Sequence, residues 1–156
     1  MIVYHASDME VKNPDTSHSR KYLDFGPGFY VTVISEQAEK YAERFLRRGK
    51  DAWINVYELN EECLKQKITK FDSYDEQWLD YVMACRTGAT PDDADIIMGG
   101  IADDQIFRTI DLYFSGLISK QDALQRLVYS KPNMQICIRS QAIINKFLTF
   151  KSSKKL

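Results

Sequence analysis

The stretch DFGPGFYVT, residues 24–32, sets two glycines around a proline, then two aromatic rings and a β-branched run. The glycines suit a tight turn. Phe29 and Tyr30 are not needed for one. Either these rings are core, or the turn presents a flat ring to a ligand. Few other residues could do chemistry. His5 ends an apolar run, IVYHAS, where a strand-end histidine either meets a ligand or bonds a backbone carbonyl. His18 lies in a polar stretch, and neither H-x-x-x-H nor C-x-x-C spacing occurs, so no metal site is expected. The acidic runs DDAD and ADD match no calcium loop. Asp103 and Asp104 suit the first turn of a helix, where carboxylates meet the positive end of the dipole. Tyr41 falls on an apolar helix face, so packing is its simple reading. Gln135 alternates with Met134 and Ile136, and faces a cleft or water.

A backbone cradle for phosphate is not expected. Such a cradle needs a glycine-rich loop opening into a helix, and these glycines open into a strand. G-x-G-x-x-G and the P-loop are both absent. The 156 residues suffice for one domain, read as 1–156. A net charge of -1 gives no global attraction to nucleic acid or an anionic membrane. No apolar run reaches the length of a membrane span, and MIVYHASDME lacks the layout of a signal peptide. Cys63, Cys85 and Cys137 are odd in number and far apart, which suits a reducing compartment. A cytoplasmic protein with no membrane partner is expected.

The elements that must position these residues follow from periodicity. IVYHAS reads as a strand, and residues 8–28 as a long polar loop of a length that is often functional. GFYVTVI is a second strand, with Phe29, Val31 and Val33 on one face and Tyr30 and Thr32 on the other. Residues 35–49 read as a helix capped by Ser35 and ended by Gly49, with Ala38, Tyr41, Ala42, Phe45 and Leu46 on one face. DAWINVYELN is a strand, and residues 74–88 a helix stopped by Gly88. ADIIMGG is a short strand. Helices follow over 101–116 and 119–130, the second with Ser119 and Asp122 arranged as a capping box. NMQICIRS is a strand, SQAIINKFLTF a closing helix, and KSSKKL a solvated basic tail, residues 151–156. Strands and helices mixed without strict alternation predict an α+β fold.

Taken together, YHAS, GPGFYVT, a helix carrying Tyr41 and MQICI resemble the ADP-ribosyltransferase superfamily. The resemblance is to the diphtheria-toxin and poly-ADP-ribose-polymerase branch, whose motifs run His, Tyr, Glu. His5 matches the first-strand histidine, Tyr30 the strand tyrosine, and Tyr41, eleven residues on, the second tyrosine. From about residue 2 to 150 the chain also resembles a small bacterial family with this fold. The features are Ser19 and Arg20 before DFGPGFY, residues 99–104, and Gln135.

The resemblance implies a mixed, mainly antiparallel split sheet with flanking helices around an NAD cleft. It implies that NAD is a co-substrate, with no metal. Gly28 and Phe29 would line the strand mouth, and Tyr30 would stack on the cationic nicotinamide, with Tyr41 closing the other side. His5 would bond the adenosine ribose, Ala6 the nicotinamide amide through its backbone, and Arg20 the pyrophosphate. The nicotinamide–ribose bond would break through an oxocarbenium-like transition state. Gln135 stands where the superfamily has glutamate. An amide can position a hydroxyl but cannot act as a base, so Asp103 or Asp104 is the candidate carboxylate. Mono-ADP-ribosyl transfer is the expected activity, as in a toxin-like or phage-conflict effector. The acceptor would be a protein, nucleic acid or small molecule, and a cognate antitoxin would be a further partner. An NAD glycohydrolase, or a catalytically weak NAD-binding or partner-binding module, are the alternatives.

Overall fold

A computed structural model describes residues 1–100, 104–130 and 133–156, with Asp104 described by its backbone alone. The strands are β1 (Ile2–Ser7), β2 (Phe29–Thr32), β3 (Trp53–Leu59), β4 (Ile68–Lys70), β5 (Ile96–Gly99), β6 (Gln135–Ile138) and β7 (Leu148–Lys155). The α-helices are α1 (Ser35–Arg47), α2 (Glu76–Arg86), α3 (Asp104–Phe114), α4 (Lys120–Leu127) and α5 (Gln141–Phe147). A 3-10 turn over Glu61–Lys65 completes the described elements. The fold is α+β. Its sheet has seven strands in the order β4-β5-β6-β2-β1-β3-β7, and β4 with β5 is its parallel pair.

Period-two alternation sends side chains of each strand to two faces. On one face Val3, Phe29, Val31, Ile136 and Ile138 pack with Ile143, Ile144 and Phe147 of α5. The other face is divided. Trp78, Leu79 and Val82 of α2, Ile106 and Ile110 of α3 and Ala123 and Leu127 of α4 pack with Ile97, Cys137 and Tyr30. Ala38 and Ala42 of α1 pack separately with Ile54, Tyr4 and Ala6. The two clusters part between β2 and β1. The paired register of β1 with β2 is Tyr4↔Thr32 alone, whereas β1 runs against β3 over six residue pairs.

Three expectations about elements are corrected. The basic end is not a solvated tail: β7 lies against β3 from Trp53↔Lys155 to Leu59↔Leu148. Lys151 meets Glu58 at 2.7 Å and Lys155 meets Asp51 at 2.9 Å. Pairing to a distant strand holds a lysine-rich sequence that local propensity disfavours. For the same reason the closing helix stops at Phe147, and Leu148 and Phe150 continue the core as strand residues. Ser35 is the first helical residue rather than the cap. Ile34 takes the cap position, and its N–H donates to the Thr32 hydroxyl at 3.1 Å. Gly49 does end α1, with φ +69°. Ser119 does cap α4, accepting from the Asp122 N–H at 3.1 Å. Strand β4, in a stretch that carries no element in the sequence reading, is three residues long.

Candidate functional site

The glycine turn is held by its surroundings. Gly26 has φ +74°, a conformation that side chains disfavour. Gly28 lies so close to β6 that a Cβ there would meet Cys137 Sγ at 2.5 Å and the Ile138 carbonyl oxygen at 2.9 Å. The Gly28 N–H donates to Ser19 Oγ at 2.9 Å, which fixes the end of the long loop beside the turn. Tyr30 closes the turn from within. Its hydroxyl donates to the Gly26 carbonyl and accepts from the Phe25 N–H at 3.2 Å. Burial pushes this phenol far above its ordinary range, so it stays protonated. The ring therefore has one orientation, set by the turn it ties together.

His5 meets Tyr30 where β1 and β2 part. Its Nδ1 lies 2.7 Å from the Tyr30 carbonyl oxygen. Since a carbonyl only accepts, Nδ1 carries the proton, and neutral Nε2 keeps its lone pair. The imidazole thus occupies a carbonyl that an adjacent strand would otherwise pair. Burial lowers the His5 pKa, and the bond to Tyr30 partly opposes this. The rings of His5 and Tyr30 do not touch. His5 stacks on Phe29, with centroids 4.4 Å apart, and Tyr30 packs on the opposite face.

Gln135 opens β6 and registers with Thr32 of β2 and Gly99 of β5. Alternation places it on the face of Cys137 and Tyr30. His5, Tyr30 and Gln135 thus occupy three neighbouring strands, β1, β2 and β6. Ala6 is on β1 beside His5. The Thr32 hydroxyl donates to the Met134 carbonyl at 2.9 Å and ties β2 to the approach of β6.

The other expected residues are more loosely gathered. Tyr41 is 43% exposed on α1, edge-on to Phe45 at 5.9 Å, with the Arg44 guanidinium 5.1 Å above its ring. Arg20 is exposed, next to the anchored Ser19. Asp103 and the Asp104 side chain lie outside the described residues. Among the described residues no group of three His, Cys, Asp or Glu side chains converges, and no helix is long and apolar enough to cross a membrane. All three cysteines are free and buried. Burial pushes Cys137 up to about 12 and Cys85 up to about 11, so both are thiols. Two surface cavities lie along α3, and none of His5, Tyr30 and Gln135 lines either.

Sequence reasoning missed the clamps on the turn. Arg86, at the end of α2, donates through Nε and Nη2 to Asp24 Oδ1 at 3.1 and 2.8 Å. Arg139, just past β6, donates to the Phe25 carbonyl at 3.1 Å, the Tyr81 hydroxyl at 2.9 Å and Asp92 at 3.0 Å. Asp92 also accepts from Tyr81 at 2.8 Å. One signal was available. Arg139 continues the alternation of an interior strand on the Cys137 face, and a cation there must find partners.

Residues 1–150 match the model of a family described as a protein of unknown function (DUF3990), and the chain belongs to that family. No curated protein and no solved structure matches it.

Proposed function

We propose that this chain is an NAD-dependent mono-ADP-ribosyltransferase. The observation that carries the reading is a coincidence of two seams. The β1–β2 ladder ends where the core of one face divides, and His5, Ala6 and Tyr30 flank that point with Gln135 one strand away. Three motif residues far apart in sequence thus reach one stretch of sheet.

In this reading NAD lies at the seam. His5 Nε2, neutral and without a hydrogen bond among the described residues, accepts one from a ribose hydroxyl. The Tyr30 ring, locked by its own hydroxyl, stacks on the nicotinamide, and Tyr41 and Arg20 approach from α1 and the long loop. The bond between ribose C1 and the nicotinamide nitrogen breaks, and its electron pair cancels the charge on that nitrogen. The acceptor nucleophile attacks the oxocarbenium carbon and gives up its proton. Stacking weakens as the nicotinamide charge vanishes, so Tyr30 contributes affinity and orientation more than rate. Gln135 orients the ribose hydroxyl. A carboxylate must take the acceptor's proton, and Asp103 or Asp104 is assigned that role. A conflict effector restrained by an antitoxin is the setting this activity suits, and water as acceptor would make it a glycohydrolase.

The second reading, an NAD-binding or partner-binding module, is favoured by the amide at Gln135, which supplies no base. Calorimetry separates the parts. Tyr30→Ala is expected to cost about 1–3 kcal/mol in NAD affinity. Arg20→Ala is expected to weaken NAD binding and leave nicotinamide binding unchanged. Unchanged NAD affinity in a folded Tyr30→Ala protein would overturn the assignment. A tenfold loss of transfer in Asp103→Asn or Asp104→Asn, about 1.4 kcal/mol in the barrier, with NAD affinity intact, would favour the enzyme over the module.

A further inference from the structure

Helices α3 and α4 pack side by side over the sheet, with Ile106, Ile110, Ala123 and Leu127 turned into the core. Along their seam lies a cavity of about 210 Å³. Buried Ile106 and Leu127 form its apolar floor, and Arg108, Thr109, Arg126 and Ser130 are on its wall. None of the described residues lining it is acidic. Two arginines from different helices therefore line one small cavity, and Arg108 also borders the neighbouring one. Among the described residues neither makes an ion pair, although most other cations near this face do. Arg86 holds Asp24 and Asp111, Lys120 holds Glu76 and Asp80, and Arg139 holds Asp92. Two like charges lining one cavity repel each other. An anion between them reverses the sign of that interaction.

We propose that this cavity binds a phosphate group, inorganic or carried by a small phosphorylated molecule. Guanidinium forks match phosphate oxygens in pairs, and two forks on separate helices supply donors from two directions. Ser130, which also lines the cavity, carries a hydroxyl able to donate. A volume of about 210 Å³ admits a phosphate with a small substituent. The site is distinct from the β1–β2 seam and does not depend on the NAD reading.

The test is a titration of the isotope-labelled full chain with inorganic phosphate, pyrophosphate and adenosine monophosphate, following backbone amide resonances. Saturable shifts are expected over residues 105–109 and 126–130. Arg108→Gln and Arg126→Gln are each expected to weaken binding at least tenfold, and Arg126→Lys by less. Both arginines are exposed, so these variants should fold, and an unchanged spectrum elsewhere verifies it. Tighter binding of adenosine monophosphate than of inorganic phosphate would show that the carrier is also read. Equal affinity would show that the phosphate alone is read. Lys154→Gln, on the opposite edge of the sheet, should bind as the wild type does. Three results would overturn the proposal: no shift in these segments at millimolar ligand, full affinity in both arginine variants, or shifts confined to residues 19–30. The last would leave the NAD reading standing and remove this one.

Discussion

Replacing Gly28 by alanine tests how the turn is built. The added Cβ would fall about 0.9 Å inside ordinary contact with Cys137 Sγ and about 0.5 Å inside it with the Ile138 oxygen. Neither neighbour can yield freely. Cys137 is fully buried, and Ile138 is held in register opposite Phe29. Overpacking of this kind costs about 2–3 kcal/mol, which for a chain of 156 residues lowers Tm by roughly 5–10 °C. Gly26→Ala is the control. Its new Cβ finds nothing closer than 3.8 Å, so its cost is the left-handed backbone alone, about 1–2 kcal/mol. In the Gly28→Ala, Cys137→Ala double variant the sulfur contact disappears and the carbonyl contact remains. Its loss should fall short of the summed single losses by at least about 0.5 kcal/mol. Urea unfolding of the wild type, the three single variants and the double variant measures all of this. A Gly28→Ala protein within about 0.5 kcal/mol of the wild type would refute the close approach of the turn to β6.

Two further outcomes follow from the turn and the seam. Arg86→Gln leaves the Asp24 carboxylate, 16% exposed, without its fork. It is expected to cost about 2–3 kcal/mol, and adding Asp24→Asn should recover part of that loss in the same unfolding assay. The folded-state pKa of His5 lies below its ordinary value of 6.5, so the folded protein holds fewer protons than the unfolded chain below that pH. Its contribution is therefore complete above about pH 6.5 and is lost as the pH falls, with a slope of at most about 1.4 kcal/mol per unit. Unfolding at pH 7.5, 6.5 and 5.5 should show a flatter profile in His5→Asn, and identical profiles would contradict the buried neutral imidazole.

Much of the fold was legible because its periodicities are local. Phe29 and Val31 against Tyr30, and Ile136 and Ile138 against Cys137, sort to two faces as alternation requires. Ala38 and Ala42 mark the inner side of α1, but Tyr41 and Leu46 fall on the flanks of that line and remain exposed. The end of the chain was illegible for a different reason. KSSKK has no strand pattern of its own and is held by β3, about a hundred residues away. The alternatives for His5 included a bond to a backbone carbonyl, and the geometry has that bond. Which carbonyl, and that it marks the parting of two strands, depends on register that no single segment encodes. The clamps Arg86–Asp24 and Arg139–Asp92 likewise join distant segments.

The central claim is that the seam beside His5, Tyr30 and Gln135 holds NAD and cleaves it. The most direct measurement is release of free nicotinamide from NAD by the purified full chain, with and without cell lysate as a source of acceptors. Nicotinamide should be released by the wild type. Release should fall at least tenfold in Gln135→Ala, and Gln135→Glu should raise it by restoring a carboxylate beside the ribose. No release by folded wild-type protein with any acceptor, and none gained in Gln135→Glu, would contradict the claim.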